Sequence, residues 1–267
     1  MALDAVSSPA ALFDITGKTA LVTGGSRGIG FMIAHGLAQA GARLVIASRS
    51  EEELDEAAER LRQVGDVGVV PADLSSPEGA AALAQAVRDR FETLSILINN
   101  AGTSLHAPLE EFPASGWDTV MRTNVEAVFH LTVGLLPALR GAASSEDPAR
   151  VINIGSVDGI QLGPLRDHYS YSASKAAVHM LTRHLAKRLA PEQITVNAIA
   201  PGPFPSKLTA RVLDDPETRK AIEASVPLGR LGRADDAAGL ALFLASRAGS
   251  YLTGTVISLD GGLAGCT

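Results

Sequence analysis

The sequence predicts an α/β fold in one domain: a doubly wound parallel sheet of about seven strands with helices on both faces. Three observations lead there. Short runs that are apolar throughout, such as Leu44–Ala47, Val67–Val70 and Leu94–Ile98, alternate along the chain with longer helical patterns. Continuous apolar runs are strands buried on both faces, and helices between them act as crossovers. The first such run, Thr19–Val22, leads straight into Thr23-Gly24-Gly25-Ser26-Arg27-Gly28-Ile29-Gly30 and then a helical pattern over Phe31–Ala40. Finally, no linker, repeat or composition break divides the 267 residues, so 1–267 reads as a single domain.

Residues 1–15 read as a loose leader before the turn at Thr16-Gly17. Leu44–Ala47 is a second strand, and Glu51–Val64 is a helix patterned in Ala and Leu behind an acidic face. Val67–Val70 is a third strand, Pro77–Phe91 a helix, and Leu94–Ile98 a fourth strand running into Asn99-Asn100-Ala101-Gly102. A long helix is expected over Trp117–Leu139, then a polar stretch without periodicity over Gly141–Ala149 and a fifth strand at Val151–Ile154. After a loop at Gly155–His168 come the helix Ser170–Leu189, a sixth strand at Ile194–Ile199 and a break at Pro201–Pro205. Helical pieces over about Lys207–Ser225 and Asp235–Ser246 precede a last strand at Thr255–Leu259. Right-handed crossovers then place a ligand across the strand C-terminal ends, between the first and fourth strands.

Composition narrows the function. Apolar residues at 46% supply ample core, and a formal charge of −6 leaves no basic footprint for nucleic acid. The single cysteine, Cys266, makes neither a disulfide framework nor a metal set. The first residues lack a signal-peptide pattern and no run approaches the length of a membrane span, so a cytoplasmic protein without a membrane partner is expected.

The glycine-rich turn points to a dinucleotide. Gly24 permits a sharp turn after the strand, Gly28 leaves room for a pyrophosphate, and Gly30 lets helix and strand pack closely. Unpaired N–H groups of the first helical turn face the phosphates. No lysine follows the last glycine, which removes the main support for phosphoryl transfer.

Four residues fall at strand C-terminal ends or on helices facing that edge: Asn124, Ser156, Tyr171 and Lys175. Tyr171 and Lys175 are four apart and share one helical face. A phenol titrates near ~10, too high for acid–base work at neutral pH. The neighbouring ammonium, with the positive ring of an oxidised nicotinamide, is expected to favour the phenolate. Ser156 is placed to hydrogen-bond a substrate oxygen as charge develops on it. Singly, each residue also has an ordinary role open to it, in packing, on the surface or in capping a turn. Their joint placement after a nucleotide turn is what points to chemistry.

With these motifs the chain resembles the short-chain dehydrogenase/reductase family, in the subgroup with the Thr-Gly-x-x-x-Gly-x-Gly pattern. The resemblance covers roughly residues 15–262 and rests on Thr23–Gly30, Asp73, Asn99–Gly102, Asn124, Ser156, Tyr171–Lys175, Pro201-Gly202 and Asp260–Gly262. It implies a Rossmann fold and a nicotinamide cofactor. Tyr171 would be the proton donor in reduction, Lys175 the ribose holder that lowers its pKa, Ser156 the carbonyl-orienting hydroxyl, and Asn124 the holder of a relay water. Family members usually separate the serine and tyrosine by about thirteen residues, which fits Tyr169. Tyr169 has Ala173 four residues on, however, whereas Tyr171 has Lys175.

The resemblance also assigns cofactor contacts. Gly24, Ser26, Arg27, Gly28, Ile29 and Gly30 form the phosphate turn. Asp73, beside Leu74, accepts from the adenine amino group, while Asn100, Ala101 and Gly102 line the nicotinamide-side ribose. Phe204 and Ser206 match positions at the carboxamide and phosphates, where a smaller aliphatic and a Thr are usual. The second strand ends in Ala47-Ser48-Arg49 without an acid, and Arg49 with Arg27 suits the 2′-phosphate of NADP(H).

The substrate lid is expected over Pro203–Pro227, with Gly155–His168 and His106–Glu111 as walls. Phe204, Leu208, Val212, Leu213, Leu162 and Leu165 make its lining apolar, with Lys207, Arg211 and Arg166 at the rim. Gly155-Ser156-Val157-Asp158-Gly159 and Pro201–Thr209 resemble the 3-ketoacyl reductases, including the rhamnolipid-linked branch, which implies a carrier-bound or CoA-bound 3-oxoacyl substrate. A sugar, polyol or steroid alcohol is the alternative, and a non-catalytic NADP sensor the remote one. Ser156 has Ile154 where a hydrolase elbow needs glycine. The helices around Trp117–Leu139 and Ser170–Leu189 resemble those through which family members form homodimers or homotetramers.

Overall fold

The computed structural model describes residues 7–162, 167–206, 209 and 214–266. Its seven strands are β1 (Thr19–Thr23), β2 (Arg43–Ser48), β3 (Val67–Pro71), β4 (Ile96–Asn99), β5 (Ala149–Ile154), β6 (Ile194–Pro201) and β7 (Val256–Leu259). They form one sheet in the order β3-β2-β1-β4-β5-β6-β7, every neighbouring pair parallel. The chain winds outward from β1 to β3, returns to β4 beside β1, and winds outward again to β7. That reversal opens the crevice expected at the strand C-terminal ends.

Side chains alternate along each strand, so the apolar runs feed two separate cores. On one face Val22, Ile46 and Ile98 meet α2 (Gly28–Gln39), α3 (Glu51–Arg62) and the helix Ala234–Ala245. On the other, Leu21, Val45 and Val151 meet α4 (Pro77–Arg90), α6 (Ala127–Ala142) and α7 (Tyr169–Leu189). Each fully buried Leu or Ile contributes about 1.5–3 kcal/mol. The helices begin where local chemistry dictates. Ser50 Oγ accepts from Glu53 N at 3.2 Å, and Ser76 Oγ accepts from Gly79 N at 3.2 Å with Pro77 at the first helical position.

Three departures from the sequence expectation have physical causes. The leader is not wholly loose: Pro9–Phe13 forms a short helix, α1, capped by Ser8, and Phe13 lies 6.5 Å from the Phe243 ring. Strand β5 starts two residues early and takes in Arg150, only 1% exposed, whose guanidinium donates to Asp147 at 2.9 Å and to the Ser246 carbonyl at 3.0 Å. The long helix extends from Ala114 to Ala142 as α5 (Ala114–Met121), a π-helical turn over Arg122–Glu126, and α6. At 29 residues this run is long and apolar enough to cross a membrane, contrary to the sequence expectation. Leu131, Leu135 and Leu139 instead bury its inner face in the second core.

Of the expected helix over Lys207–Ser225, Pro216–Ser225 is helical, capped by Asp215, which accepts from Thr218 N at 2.9 Å. Lys207, Leu208, Arg211, Val212 and Leu213, like Leu165 and Arg166, lie outside the described residues.

A buried polar chain crosses the sheet just below its C-terminal edge. Asn99 Nδ2 on β4 donates to Thr132 Oγ1 on α6 at 3.2 Å and to Asn153 Oδ1 on β5 at 2.9 Å. Asn153 Nδ2 donates to Thr182 Oγ1 on α7 at 2.9 Å. This chain fixes two helices against two strands directly beneath the crevice. Asn153→Ala leaves buried partners unsatisfied and is expected to lower the unfolding free energy by about 1–3 kcal/mol in urea titration.

Candidate active site

At the start of α2 the backbone itself builds the cradle. Gly24 has φ of +62°, a left-handed conformation that glycine adopts at little cost. A Cβ at Gly30 would collide with the Gly24 carbonyl and with Asn100 Nδ2, so a side chain there would push the helix off the strand. Asn100 Nδ2 donates to the Thr23 and Gly24 carbonyls at 2.8 and 3.0 Å, and Thr23 Oγ1 accepts from the Asn100 and Ala101 amides, each at 3.0 Å. The turn after β1 and the turn after β4 are thereby locked together across the reversal point. Arg27 at the N-cap makes no side-chain bond to the first turn of α2, which leaves those N–H groups for a ligand. A pyrophosphate fits this cradle.

The residues expected to carry acid–base chemistry converge beside it. Lys175 Nζ is buried and donates to the Ile154 carbonyl, at the end of β5, at 2.8 Å. It lies 5.5 Å from the centre of the Tyr171 ring. Two residues past Ile154, Ser156 Oγ accepts from the Asp158 amide at 3.1 Å, and its hydroxyl stands near enough to the Tyr171 phenol to favour the phenolate. Asn124 sits in the π-helical turn, 1% exposed. Its Nδ2 donates to the Thr103 carbonyl and to Ser174 Oγ, each at 2.9 Å, and its Oδ1 accepts from the Thr103 amide at 2.8 Å. A Cβ at Gly102 would lie 3.3 Å from Asn124 Oδ1 and 3.7 Å from Lys175 Nζ, so the three residues border one small space.

The electrostatics correct one expectation. Burial pushes the Tyr171 phenol up to about 12; the Ser156 hydrogen bond acts against that rise, and Asp158 adds to it. Burial draws the Lys175 ammonium down to about 8. In the protein alone burial outweighs every influence that favours the phenolate, and the ammonium donates instead to the Ile154 carbonyl. Tyr169 is elsewhere: its hydroxyl donates to Asp167 at 2.7 Å and its ring packs edge-on to Phe112 at 5.4 Å. The hydrogen bond to Asp167 holds its phenol above the usual value.

Other cofactor positions are placed with varying directness. Asp73 is exposed after β3 and accepts from Ser75 N at 3.0 Å, while Leu74 is buried. Arg49 is exposed after β2, but Arg27 is ion-paired with Glu53 of α3, so the two guanidiniums are not equivalent. Phe204 is 3% exposed, its ring seated on Gly232 in the first core, so its side chain does not line the lid. Ser206 comes closest to the turn; a Cβ at Gly28 would lie 3.3 Å from Ser206 Cβ.

Sequence patterns do not single out Glu53 or His179. His179, 6% exposed, lies on α7 against Gly155 and Gly159, the residues flanking the Ser156 turn, and burial lowers its pKa. A histidine one turn beyond Lys175, on the same helical face, is the signal available for it.

Comparison with known proteins agrees with this geometry. A family model described as enoyl-(acyl carrier protein) reductase matches residues 24–264. The rhamnolipids biosynthesis 3-oxoacyl-[acyl-carrier-protein] reductase of Pseudomonas aeruginosa is 54% identical, over 94% of this chain and 97% of its own. Gluconate 5-dehydrogenase of Gluconobacter oxydans is 36% identical over 94% and 96%. Among solved structures, the Pseudomonas aeruginosa RhlG/NADP active-site complex superposes with a TM-score of 0.92 at 53% identity, covering 95% of this chain and 99% of that one. A gluconate 5-dehydrogenase from Burkholderia cenocepacia in complex with NADP and tartrate gives 0.86 at 34% identity, covering 96% and 98%. The glycine cradle, the Ser156–Tyr171 pair and the buried Lys175 are thus features of a chain that belongs to the short-chain dehydrogenase/reductase family.

Proposed function

We propose that the protein reduces the keto group of a 3-oxoacyl thioester, on a carrier protein or CoA, to the 3-hydroxyacyl form with NADPH. The observation that carries this is the convergence of Tyr171 and the buried Lys175, 5.5 Å from its ring, with Asn124 and Gly102 at the crevice. Burial also raises the Tyr171 pKa to about 12, so the phenol keeps its proton in the neutral range and can give it to a carbonyl oxygen. The 54% identity to a 3-oxoacyl-[acyl-carrier-protein] reductase supports the substrate class. The gluconate 5-dehydrogenase relatives support a keto sugar as the second reading.

NADPH supplies the hydride when bound. Lys175, anchored by Ile154, holds the ribose hydroxyls, and Asn100, Ala101 and Gly102 border the same end of the crevice. Ser156 and Tyr171 grip the substrate oxygen; Tyr171 gives up its proton as charge builds there, and Ser156 shares that charge through its hydrogen bond. Asn124 holds the Thr103 loop and Ser174 in place behind them. Arg49, with no acid after β2, meets the 2′-phosphate. The apolar exposed side chains Phe129 and Val133 on α6 and Met180 on α7 support self-association of the chain through these helices.

Purified protein is expected to oxidise NADPH with acetoacetyl-CoA, and Tyr171→Phe to lower kcat at least ~10²-fold with NADPH affinity intact, the scale of a lost general acid. Turnover of a keto sugar but not of acetoacetyl-CoA would reverse the substrate order. The pH profile is set by the burial of Lys175. Its ammonium is present below about 8 and lost above it, so kcat/KM for reduction is expected to fall as pH rises through about 8, with no limb from Tyr171 in that range. In Lys175→Met that limb disappears along with most of the rate. For the coenzyme, Arg49→Asp is expected to raise KM for NADPH about tenfold or more and to leave KM for NADH near its starting value. Arg27→Ser acts less, because Glu53 already offsets that charge.

A further inference from the structure

The two walls expected at the substrate mouth meet in a pair of imidazoles. His106 comes from the chain after β4 and His168 from the residue before α7, and their rings lie 5.0 Å apart at 74°. His168 in turn stands 6.0 Å from the Tyr171 ring at 87°. It is half-buried, while His106 is exposed. His168 occupies the N-cap position of α7 but its side chain makes no capping bond, so the helix does not need it. Among the described residues, nothing hydrogen-bonds either ring nitrogen of His168. Asp167, the adjoining carboxylate, is engaged by Tyr169.

We propose that His168 is a specificity-determining residue: braced by His106, it hydrogen-bonds the oxygen function next to the reacting carbonyl. This rests on the functional reading above, in which that oxygen is the thioester carbonyl two carbons from the keto group. Tyr171 and Ser156 are both committed to the reacting oxygen, so a second oxygen needs another partner. His168 is a ring's width from Tyr171 and borders His106, and no described residue hydrogen-bonds its nitrogens. Burial first, then His106, lowers the His168 pKa, against a smaller opposing effect of Asp167. A neutral imidazole offers one N–H donor, which suits an uncharged thioester carbonyl better than a free carboxylate.

The test pairs two substrates with two variants. His168→Phe keeps a ring against His106 and Tyr171 but removes both nitrogens; His168→Asn keeps an N–H donor. With acetoacetyl-CoA, His168→Phe is expected to lose about tenfold or more in kcat/KM, the scale of one buried hydrogen bond. With a methyl ketone lacking the second carbonyl it stays within about twofold of the parent. The Asn variant regains most of the loss, and KM for NADPH is unchanged in both. Equal losses on the two ketones, or none on either, overturn the proposal. Should the parent protein be inert toward acetoacetyl-CoA yet reduce a keto sugar, the acyl reading fails by itself. The variants are then compared on that sugar and on its analogue lacking the hydroxyl next to the keto group. A loss confined to the hydroxylated sugar supports His168, and equal losses overturn it.

Discussion

The hydrogen bond from the Lys175 ammonium to the Ile154 carbonyl is the contact on which the site depends. A buried charge is costly without a partner, and here one strand-end carbonyl is the protein's answer. The bond ties α7 to the C-terminal end of β5. Tyr171 stands one helical turn before Lys175, and Ser156 stands two residues beyond Ile154. Tyr171 and Ser156 are therefore both indexed to the same backbone atom, whatever the length of the loop between them.

Beneath that contact the sheet is stiffened by side-chain amides rather than by apolar packing alone. Asn99 and Asn153 face each other across neighbouring strands and reach the hydroxyls of Thr132 and Thr182 on two different helices. Every link in this chain has a partner, the condition under which buried polar groups rigidify a fold instead of weakening it. The same logic closes the cofactor end, where Asn100 and Thr23 join the turns after β1 and β4. The two turns that border the reversal point are thus fixed to each other by hydrogen bonds.

How much of this is legible in the sequence depends on whether the cause is local. Apolar runs mark the strands, and capping serines mark the starts of α1, α3 and α4, because periodicity and end chemistry act over a few residues. The spacing of Tyr171 and Lys175 likewise selects the phenol that stands beside Ser156, while Tyr169 is occupied with Asp167 and Phe112. The departures come from partners distant in the chain. Arg27 looks free in the sequence because Glu53 lies 26 residues away on another helix. Phe204 looks like a lining residue because nothing local reveals the space left for it over Gly232. The inclusion of Arg150 in a strand requires Ser246, 96 residues on, to receive its guanidinium. Even the direction of the Tyr171 shift escapes the sequence, because adjacency on a helix face says nothing about how deeply the tertiary structure buries the phenol.

The widened turn at Arg122–Glu126 has an effect beyond presenting Asn124. Each residue added to a helix rotates the remainder of that helix by ~100°. The apolar stripe of Leu131, Leu135 and Leu139 therefore faces the sheet only because the bulge has already advanced it relative to α5. The polar amide of the site and the greasy seam of the core share a single register. Trimming one residue to restore a regular spiral would turn that seam toward water at the same moment as it withdrew the amide, so the bulge is guarded by folding as well as by chemistry.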